Sequence, residues 1–151
     1  MKKIREKLAN NAGFTFIEIM IVVVIIGFLT AIIGPQIIGR IDQAKQVTAQ
    51  NQLGNIEMAL DQYYLDCGQY PTTEQGLKAL RQKPTTSPVP EDWNGPYMKK
   101  EVPKDPWGNK YHYKYPGEKN PSSYDLYSLG KDGQEGGTGD NEDITNWSNM
   151  E

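Results

Sequence analysis

A long apolar stretch near the N-terminus places the strongest constraint on how this chain folds. Residues 14–33 read FTFIEIMIVVVIIGFLTAII, and only Thr15, Glu18, Gly27 and Thr30 depart from the hydrophobic pattern. As an α-helix this stretch is roughly 30 Å long, which matches the hydrocarbon thickness of a bilayer. Because a lipid-exposed segment must satisfy its own backbone hydrogen bonds, the sequence predicts a membrane-spanning helix over residues 14–34.

The charges of the chain are divided between its two ends. Residues 1–13 have a net charge of +3, from Lys2, Lys3, Arg5 and Lys7 against Glu6. Because the whole chain has a net charge of −3, residues 14–151 carry −6. Basic residues flanking a span favour the cytoplasmic side, which places the remainder of the chain across the membrane. An acidic remainder also argues against a nucleic-acid-binding surface.

An ordinary secretory signal peptide is the competing interpretation of the N-terminus. It would have a shorter apolar core followed by a small-residue cleavage site. Here the apolar run is longer, and Gly34 and Pro35 follow it. Proline removes a backbone donor, so we expect the helix to break or kink at this point.

A second, amphipathic helical segment is predicted over residues 35–67. Apolar residues return at spacings of three and four, which indicates one buried stripe. Gly68 suits a C-cap, so the helix should end near Cys67. The predicted stripe contains Ile37, Ile41, Ala44, Ile56, Leu60 and Tyr63 or Tyr64.

Residues 68–151 are predicted to form a small globular head. Thr72 and Thr73 offer N-cap chemistry for a short helix ending near Gln82. The proline-studded segment 84–109 contains aromatic anchors, so we expect an ordered loop packed on the domain. Residues 110–115 and 124–129 favour two antiparallel strands separated by turn residues. The predicted fold class is α+β, a long N-terminal helix packed on a small antiparallel sheet.

A loop near the C-terminus is rich in glycines and acidic residues; residues 132–143 read DGQEGGTGDNED. Its oxygen donors and flexible glycines are the chemistry that Ca²⁺ prefers. The spacing is neither an EF-hand nor a repeated Gly-Gly-x-Gly unit. On composition alone, a solvated disordered loop is the favoured alternative.

The residues in front of the apolar run carry a family resemblance. A short basic leader ends in Gly13 and is followed by Phe14-Thr15-Phe16-Ile17-Glu18. This pattern resembles the leader of type IV pilins and related pseudopilins. The resemblance implies that a prepilin peptidase cleaves the Gly13–Phe14 bond, which removes residues 1–13, and methylates the new N-terminus at Phe14.

Glu18 is a carboxylate inside the predicted span, where an unpaired charge costs at least about 2.5 kcal/mol. After cleavage, the amine of Phe14 in one copy could pair with Glu18 of a neighbouring copy, and the pilin resemblance implies the same assembly role. A carboxylate that snorkels to the interface or stays protonated is the alternative.

The head also carries specific motifs, KDPWGNKYHYKYPG, YDLYSLGKDG and EDITNW. Together they resemble the major pseudopilins of bacterial type II secretion systems, a family with the pilin-like fold. The resemblance implies a homopolymeric periplasmic pseudopilus that drives export of folded proteins across the outer membrane. Its implied partners are minor pseudopilins, an inner-membrane assembly platform, the prepilin peptidase, an outer-membrane secretin and the lipid of the inner membrane.

The same resemblance implies that the C-terminal acidic loop binds Ca²⁺. By position, the side chains of Asp132, Asp140 and Asp143 are then the ligands. The backbone carbonyls of Leu129 and Thr138 complete the predicted set, with Glu135 and Glu142 as alternates.

Two other functions are weighed against this one. A major pilin of a type IV pilus, for adhesion, motility or DNA uptake, commonly closes a C-terminal loop with a disulfide, which a single Cys67 excludes. An anchored enzyme would need a catalytic constellation, and none can be assembled around His112, the only histidine. We therefore predict a structural subunit, with Cys67 as a small buried apolar residue and His112 as a strand side chain.

Overall fold

The computed structural model describes residues 13–148, together with the side chains of all of these except residues 34–38. Two compact units are present, Met1–Gly39 and Arg40–Glu151. A single α-helix, α1, runs from Phe16 to Cys67 and contributes to both units. In the first unit it carries the apolar span Phe16–Ile33, which has a mean hydropathy of 2.9 and is exposed along its whole length.

Helix α1 is continuous across Gly34 and Pro35, so the predicted break at these residues does not occur. Proline removes one hydrogen bond and crowds the carbonyl four residues earlier, a local cost that the helix-forming sequence on both sides outweighs. A kink without a break stays a prediction. The helix ends at Cys67, as predicted, because Gly68 adopts a φ of 73° and donates its N–H to the carbonyl of Tyr64.

The second half of α1 buries one face in the head. Ile56, Leu60 and Tyr63 are almost fully buried, as the apolar spacing predicts. Ile41 and Ala44 are exposed, so their predicted places in the stripe are wrong, and Asp42 is buried instead. The predicted place of Ile37 falls among the side chains that the structure does not describe. The remaining buried apolar residues of the head are Ala49, Leu53, Ala59, Ala79, Leu80, Tyr111, Tyr124, Leu126 and Ile144.

A three-stranded antiparallel sheet packs in this core, with the strands in the order β1-β2-β3. The strands are β1 His112–Lys114, β2 Asp125–Ser128 and β3 Ile144–Thr145. The first two lie inside the predicted strands and pair Tyr113 with Leu126. The third strand was not predicted, because two residues are too short to show an alternating pattern.

The proline-rich loop is ordered and packed, as the sequence predicts. Its anchors Trp93, Tyr97, Met98, Val102 and Trp107 pack against the core. The predicted short helix is a 3₁₀ helix, Gly76–Leu80. Before it, Thr72 and Gln75 exchange hydrogen bonds in a capping-box arrangement.

The amide of buried Gln75 also fastens the proline-rich loop to the head. Its Nε2 donates to the carbonyls of Thr86 and Pro88, at 2.8 and 2.9 Å. Nearby, the indole of Trp93 donates to the carbonyl of Ala79. The loop is therefore held by polar contacts as well as by its apolar anchors.

Candidate functional site

The first candidate site lies at the start of α1. Gly13, Phe14 and Thr15 have no regular secondary structure and are exposed, and α1 begins at the next residue. The proposed scissile bond between Gly13 and Phe14 therefore lies in an accessible, irregular segment. The rest of the predicted leader, residues 1–12, lies outside the described residues.

Glu18 has a partner within its own chain. Its Oε2 accepts hydrogen bonds from the backbone N–H and the hydroxyl of Thr15, each at 3.2 Å. The Thr15 hydroxyl in turn accepts the N–H of Glu18 at 3.3 Å. This reciprocal pair is a capping box, with Thr15 as N-cap. It holds a carboxylate at the N-terminus of the helix, where the helix dipole also favours a negative charge.

The second candidate site is the C-terminal loop that connects β2 to β3. The loop turns back on itself at two glycines: a Cβ at Gly130 would lie 2.8 Å from the carbonyl of Glu142, and one at Gly137 would clash with that of Asn141. Both glycines also have positive φ, of 65° and 89°. Only glycine fits these positions, because a side chain would be strained and would have no room.

Two contacts attach this loop to α1. The Lys131 ammonium lies 2.8 Å from the carboxylate of buried Asp42, and this hydrogen bond raises the pKa of Lys131. The amide of Gln46 donates to the carbonyl of Gly139 at 2.5 Å. These four residues could not be predicted from the sequence, because no local pattern pairs residues so far apart in the chain.

The carboxylates of the loop occupy different environments. Asp132 accepts the N–H of Gln134 and Asp143 accepts that of Gly136, at 3.1 and 2.8 Å. Asp140 lies on an exposed 3₁₀ turn, Gly139–Asn141. Within residues 13–148 the structure gathers no group of three acidic, His or Cys side chains close enough to hold a metal.

Asp143 nevertheless shows one feature that suits a cation. Its Oδ1 is buried and has no hydrogen-bond partner in the described part of the chain. A buried carboxylate oxygen without a partner is costly unless a cation or donor neutralises it. The donors of the loop are all oxygens, which is the ligand chemistry of Ca²⁺. The oxygens of the loop therefore have the chemistry of calcium ligands, although the described residues do not gather them into a formed site.

A buried carboxylate at the motif KDPWGN supports the base of this loop. Asp105 accepts the N–H groups of Trp107 and Asn109 through Oδ1, and the hydroxyl of Ser128 through Oδ2 at 2.6 Å. The Ser128 hydroxyl then accepts the N–H of Gly130, where the loop begins. Asp105 thus joins the motif to the end of β2.

Asp125 plays the same part in the loop between β1 and β2. Its buried carboxylate accepts the N–H groups of Glu118, Lys119 and Asn120, at 2.7 to 2.9 Å. A Cβ at Gly117 would lie 2.5 Å from this carboxylate. The glycine therefore leaves room for the carboxylate to close the loop.

We expect Asp105→Ala to destabilise the head by about 3 kcal/mol, because it leaves two backbone donors and the Ser128 hydroxyl without their charged acceptor. Chemical denaturation of residues 40–151 would measure this loss. Glu91→Ala, at an exposed acid, is the control and should stay within about 0.5 kcal/mol of wild type. Equal stabilities for the two variants would contradict the role given to Asp105.

Cys67 and His112 lie apart from both sites. Cys67 is half buried beside the Tyr97 hydroxyl, and burial raises the pKa of its thiol. A raised pKa keeps the thiol protonated and unreactive. His112 lies on β1, where its ring stacks on Tyr127 at a centroid distance of 4.9 Å. Its predicted place on a strand is confirmed.

Known proteins match this chain over both of its parts. The family model of type II secretion system protein G matches residues 36–147, and that of the prokaryotic N-terminal methylation motif matches residues 8–34. The type II secretion system core protein G of Pseudomonas aeruginosa is 53% identical over 140 residues, which cover 93% of this chain and 97% of the relative. The core protein G of Vibrio cholerae is 47% identical over 144 residues, covering 95% and 96%.

The fold has a solved counterpart. The crystal structure of the major pseudopilin from the type 2 secretion system of enterohaemorrhagic Escherichia coli matches with a TM-score of 0.61 and 40% identity. The match covers 74% of this chain and 93% of that chain. An apolar N-terminal helix that continues into a small antiparallel head defines the class of pilin-like subunits. Within that class, the chain belongs to the type II secretion system protein G family, the major pseudopilins. It is a structural subunit of the secretion pseudopilus.

Proposed function

We propose that the chain is cleaved between Gly13 and Phe14, methylated at Phe14, and polymerised through α1 into a homopolymeric periplasmic fibre. The observation that carries this proposal is the exposed apolar span Phe16–Ile33, which directly follows an accessible Gly13–Phe14 bond. A surface this apolar is stable only in lipid or against other copies of the same helix. The match of residues 8–34 to the methylation motif supports the processing step.

Glu18 gives the fibre its register in this proposal. Cleavage exposes a positive amine on Phe14, and a neighbouring copy displaced along the fibre can bring Glu18 against it. The capping box with Thr15 supports this role, because it holds the carboxylate at the helix N-terminus. A charge pair there would relieve the cost of a carboxylate in an apolar surrounding.

The chain is proposed to cross the inner membrane once, with its head in the periplasm. The basic residues of the leader favour the cytoplasmic side. Assembly in that membrane would involve the prepilin peptidase, minor pseudopilins, the assembly platform and the secretin. The negative net charge of the head argues against a nucleic-acid partner.

The C-terminal loop is proposed to bind Ca²⁺ through Asp132, Asp140 and Asp143, with the carbonyls of Leu129 and Thr138 and with Glu135 and Glu142 as alternates. A bound ion would neutralise acids that otherwise repel one another. The partnerless Oδ1 of Asp143 supports this proposal. The chain's own part is to position these oxygens through Gly130, Gly137 and the Lys131–Asp42 pair.

Replacing Gly13 tests the processing step. Gly13→Leu should leave the leader attached, because a bulky side chain at this position should obstruct cleavage after it, and the protein should remain in the inner membrane. Mass spectrometry of the N-terminus should find methylated Phe14 in the wild type and Met1 in the variant.

Gly27→Leu is the matched control for processing. It makes the same change inside the span, where a Cβ would meet no atom within 4 Å. This variant should be cleaved normally. A wild-type N-terminus other than Phe14 would contradict the proposed cleavage site.

A further inference from the structure

Strand β1 forms one edge of the sheet, and the direction of its backbone groups follows from the strand beside it. Leu126 of β2 is the register partner of Tyr113 in β1. The N–H of Leu126 donates to the side chain of Asn146, and its C=O accepts the N–H of Asn146. Because both groups of Leu126 point away from β1, Tyr113 and Leu126 form a non-hydrogen-bonded pair. The N–H and C=O of Tyr113 therefore point outward, from the edge of the sheet.

This edge is covered at one end and open beside it. Just beyond β1, the hydroxyl of Thr73 accepts the N–H of Tyr115 at 2.9 Å and donates to its C=O at 3.0 Å. Backbone groups two residues apart in a strand point to the same edge. At Tyr113, however, the structure shows no hydrogen-bond partner within residues 13–148 for either backbone group. An unpaired strand edge of this kind is a template for pairing with another chain.

A groove of about 730 Å³ lies along the open edge. Its lining comes from the segments 74–82, 101–104 and 110–113. Since β2 lies on the other side of β1, the groove is on the side to which the free backbone groups point. Half-buried Leu77 and Val102 give it apolar surface. Its volume is in the range of ligand-binding clefts, so an extended segment has room beside β1.

The groove is basic although the head is acidic. Four basic and two acidic side chains line it, a net charge of +2: Lys78, Arg81, Lys104, Lys110, Glu74 and Glu101. Arg81 is engaged within the head, where it donates to the carbonyls of Met98 and Lys99. Lys104 and Lys110 are exposed, and within the described residues neither forms an ion pair. Complementary charge therefore favours an acidic partner.

We propose that this groove binds an extended acidic segment of another protein, which adds to the sheet as a strand beside β1. Strand addition gains affinity from main-chain hydrogen bonds, which the backbone of Tyr113 can supply, and specificity from side chains. Side chains of a strand alternate between its two faces. A segment of alternating acidic and apolar residues therefore suits both the lysines and the apolar surface of the groove. This site is separate from the apolar span and the C-terminal loop, and it does not depend on polymerisation.

A synthetic peptide tests the site on the full-length chain in detergent. The probe is a labelled heptapeptide of alternating glutamate and valine, and fluorescence anisotropy measures its affinity. At saturation it should slow hydrogen exchange of the Tyr113 amide at least about tenfold, because that N–H becomes hydrogen-bonded. A peptide with lysine in place of glutamate should bind about tenfold more weakly. So should a fully N-methylated peptide, which keeps the charge but lacks backbone donors.

Charge reversals in the groove test the role of the lysines. Lys104→Glu and Lys110→Glu should each weaken binding of the probe about tenfold. Both side chains are exposed, so the melting temperature of either variant should match that of the wild type. Lys119→Glu is the matched control, since Lys119 is an exposed lysine in the loop between β1 and β2, outside the groove. This variant should bind the probe as the wild type does.

A peptide with the sequence of residues 132–143 tests a second copy of this chain as the occupant. Its glycines disfavour a strand, so it should bind at least about tenfold more weakly than the probe. Tighter binding of this peptide would assign the groove to another copy and overturn the proposed partner.

The other outcomes are equally decisive. An absence of probe binding, or binding without protection of Tyr113, would overturn the inference. Equal binding of the N-methylated peptide would reveal an anion site without strand addition, and would also overturn it. Equal affinities for the lysine peptide, or for the Lys104, Lys110 and Lys119 variants, would remove the charge complementarity on which the choice of an acidic partner rests.

Discussion

Glu18→Gln is expected to be inserted and cleaved normally but to lose fibre assembly. Glutamine can still accept the hydrogen bonds from Thr15, so the capping box survives, whereas the charge that would pair with a neighbour's amine is gone. We expect fibre yield to fall at least about tenfold, because each ~1.4 kcal/mol lost from a contact changes its equilibrium tenfold. Shearing and sedimentation of fibres, followed by immunoblotting, would measure the yield.

Thr15→Ala is the reciprocal control for Glu18. It removes the hydroxyl of the capping box but keeps the Glu18 carboxylate and its charge. If the charge matters for assembly, this variant should still form fibres. Normal fibres from Glu18→Gln together with lost fibres from Thr15→Ala would show that capping rather than pairing explains the residue.

Removal of calcium is expected to lower the melting temperature of the head, residues 40–151, by about 10 °C. A ligand present at a hundred times its dissociation constant stabilises the native state by about 2.7 kcal/mol, and a domain of this size converts that into such a shift. Without the ion, the acids of the loop repel one another. Thermal melting with a chelator, and again with added calcium, would measure the effect.

Single substitutions should reproduce the effect of the chelator. Asp143→Ala, Asp132→Ala and Asp140→Ala should each melt early and no longer respond to calcium. Asp92→Ala, at an exposed acid outside the loop, should keep the full response. Mg²⁺ should restore little stability, because it requires tighter octahedral geometry than Ca²⁺. A melting curve unchanged by the chelator would identify the loop as a solvated acidic segment.

Local patterns in the sequence predicted the parts of the fold that depend on local physics. The span over residues 14–33 follows from its length and apolarity alone, and the buried face at Ile56, Leu60 and Tyr63 follows from helical spacing. The same spacing failed at Ile41, because extending the stripe back through a polar stretch placed it off the buried face. Asp42 lies on that face instead, and its charge is compensated by Lys131.

Contacts between distant residues could not be predicted in this way. Asp105 and Asp125 look like ordinary loop and strand acids, yet each is buried because the fold brings several backbone donors to it. Strand β3 is only two residues long, Ile144–Thr145, and it is held beside β2 by Asn146, which exchanges hydrogen bonds with Leu126. Its existence depends on that distant partner.

The two candidate sites also differ in whether a local sequence pattern encodes them. Gly13, Phe14 and Glu18 form a local motif, so the sequence located them, and the spacing Thr15-x-x-Glu18 could also have revealed the capping box. The proposed calcium site instead depends on how the loop folds back against Gln46 and Asp42, which no local pattern encodes. The ligand set therefore rests on position along the loop and on the partnerless oxygen of Asp143.

Electron microscopy of fibres would show whether this chain polymerises. Cells that overexpress this chain together with its secretion apparatus should produce filaments that antibodies against the head label along their length. Subunits recovered from those filaments should begin at methylated Phe14. A chain that is cleaved, methylated and inserted in the membrane but never found in filaments would show that it does not polymerise.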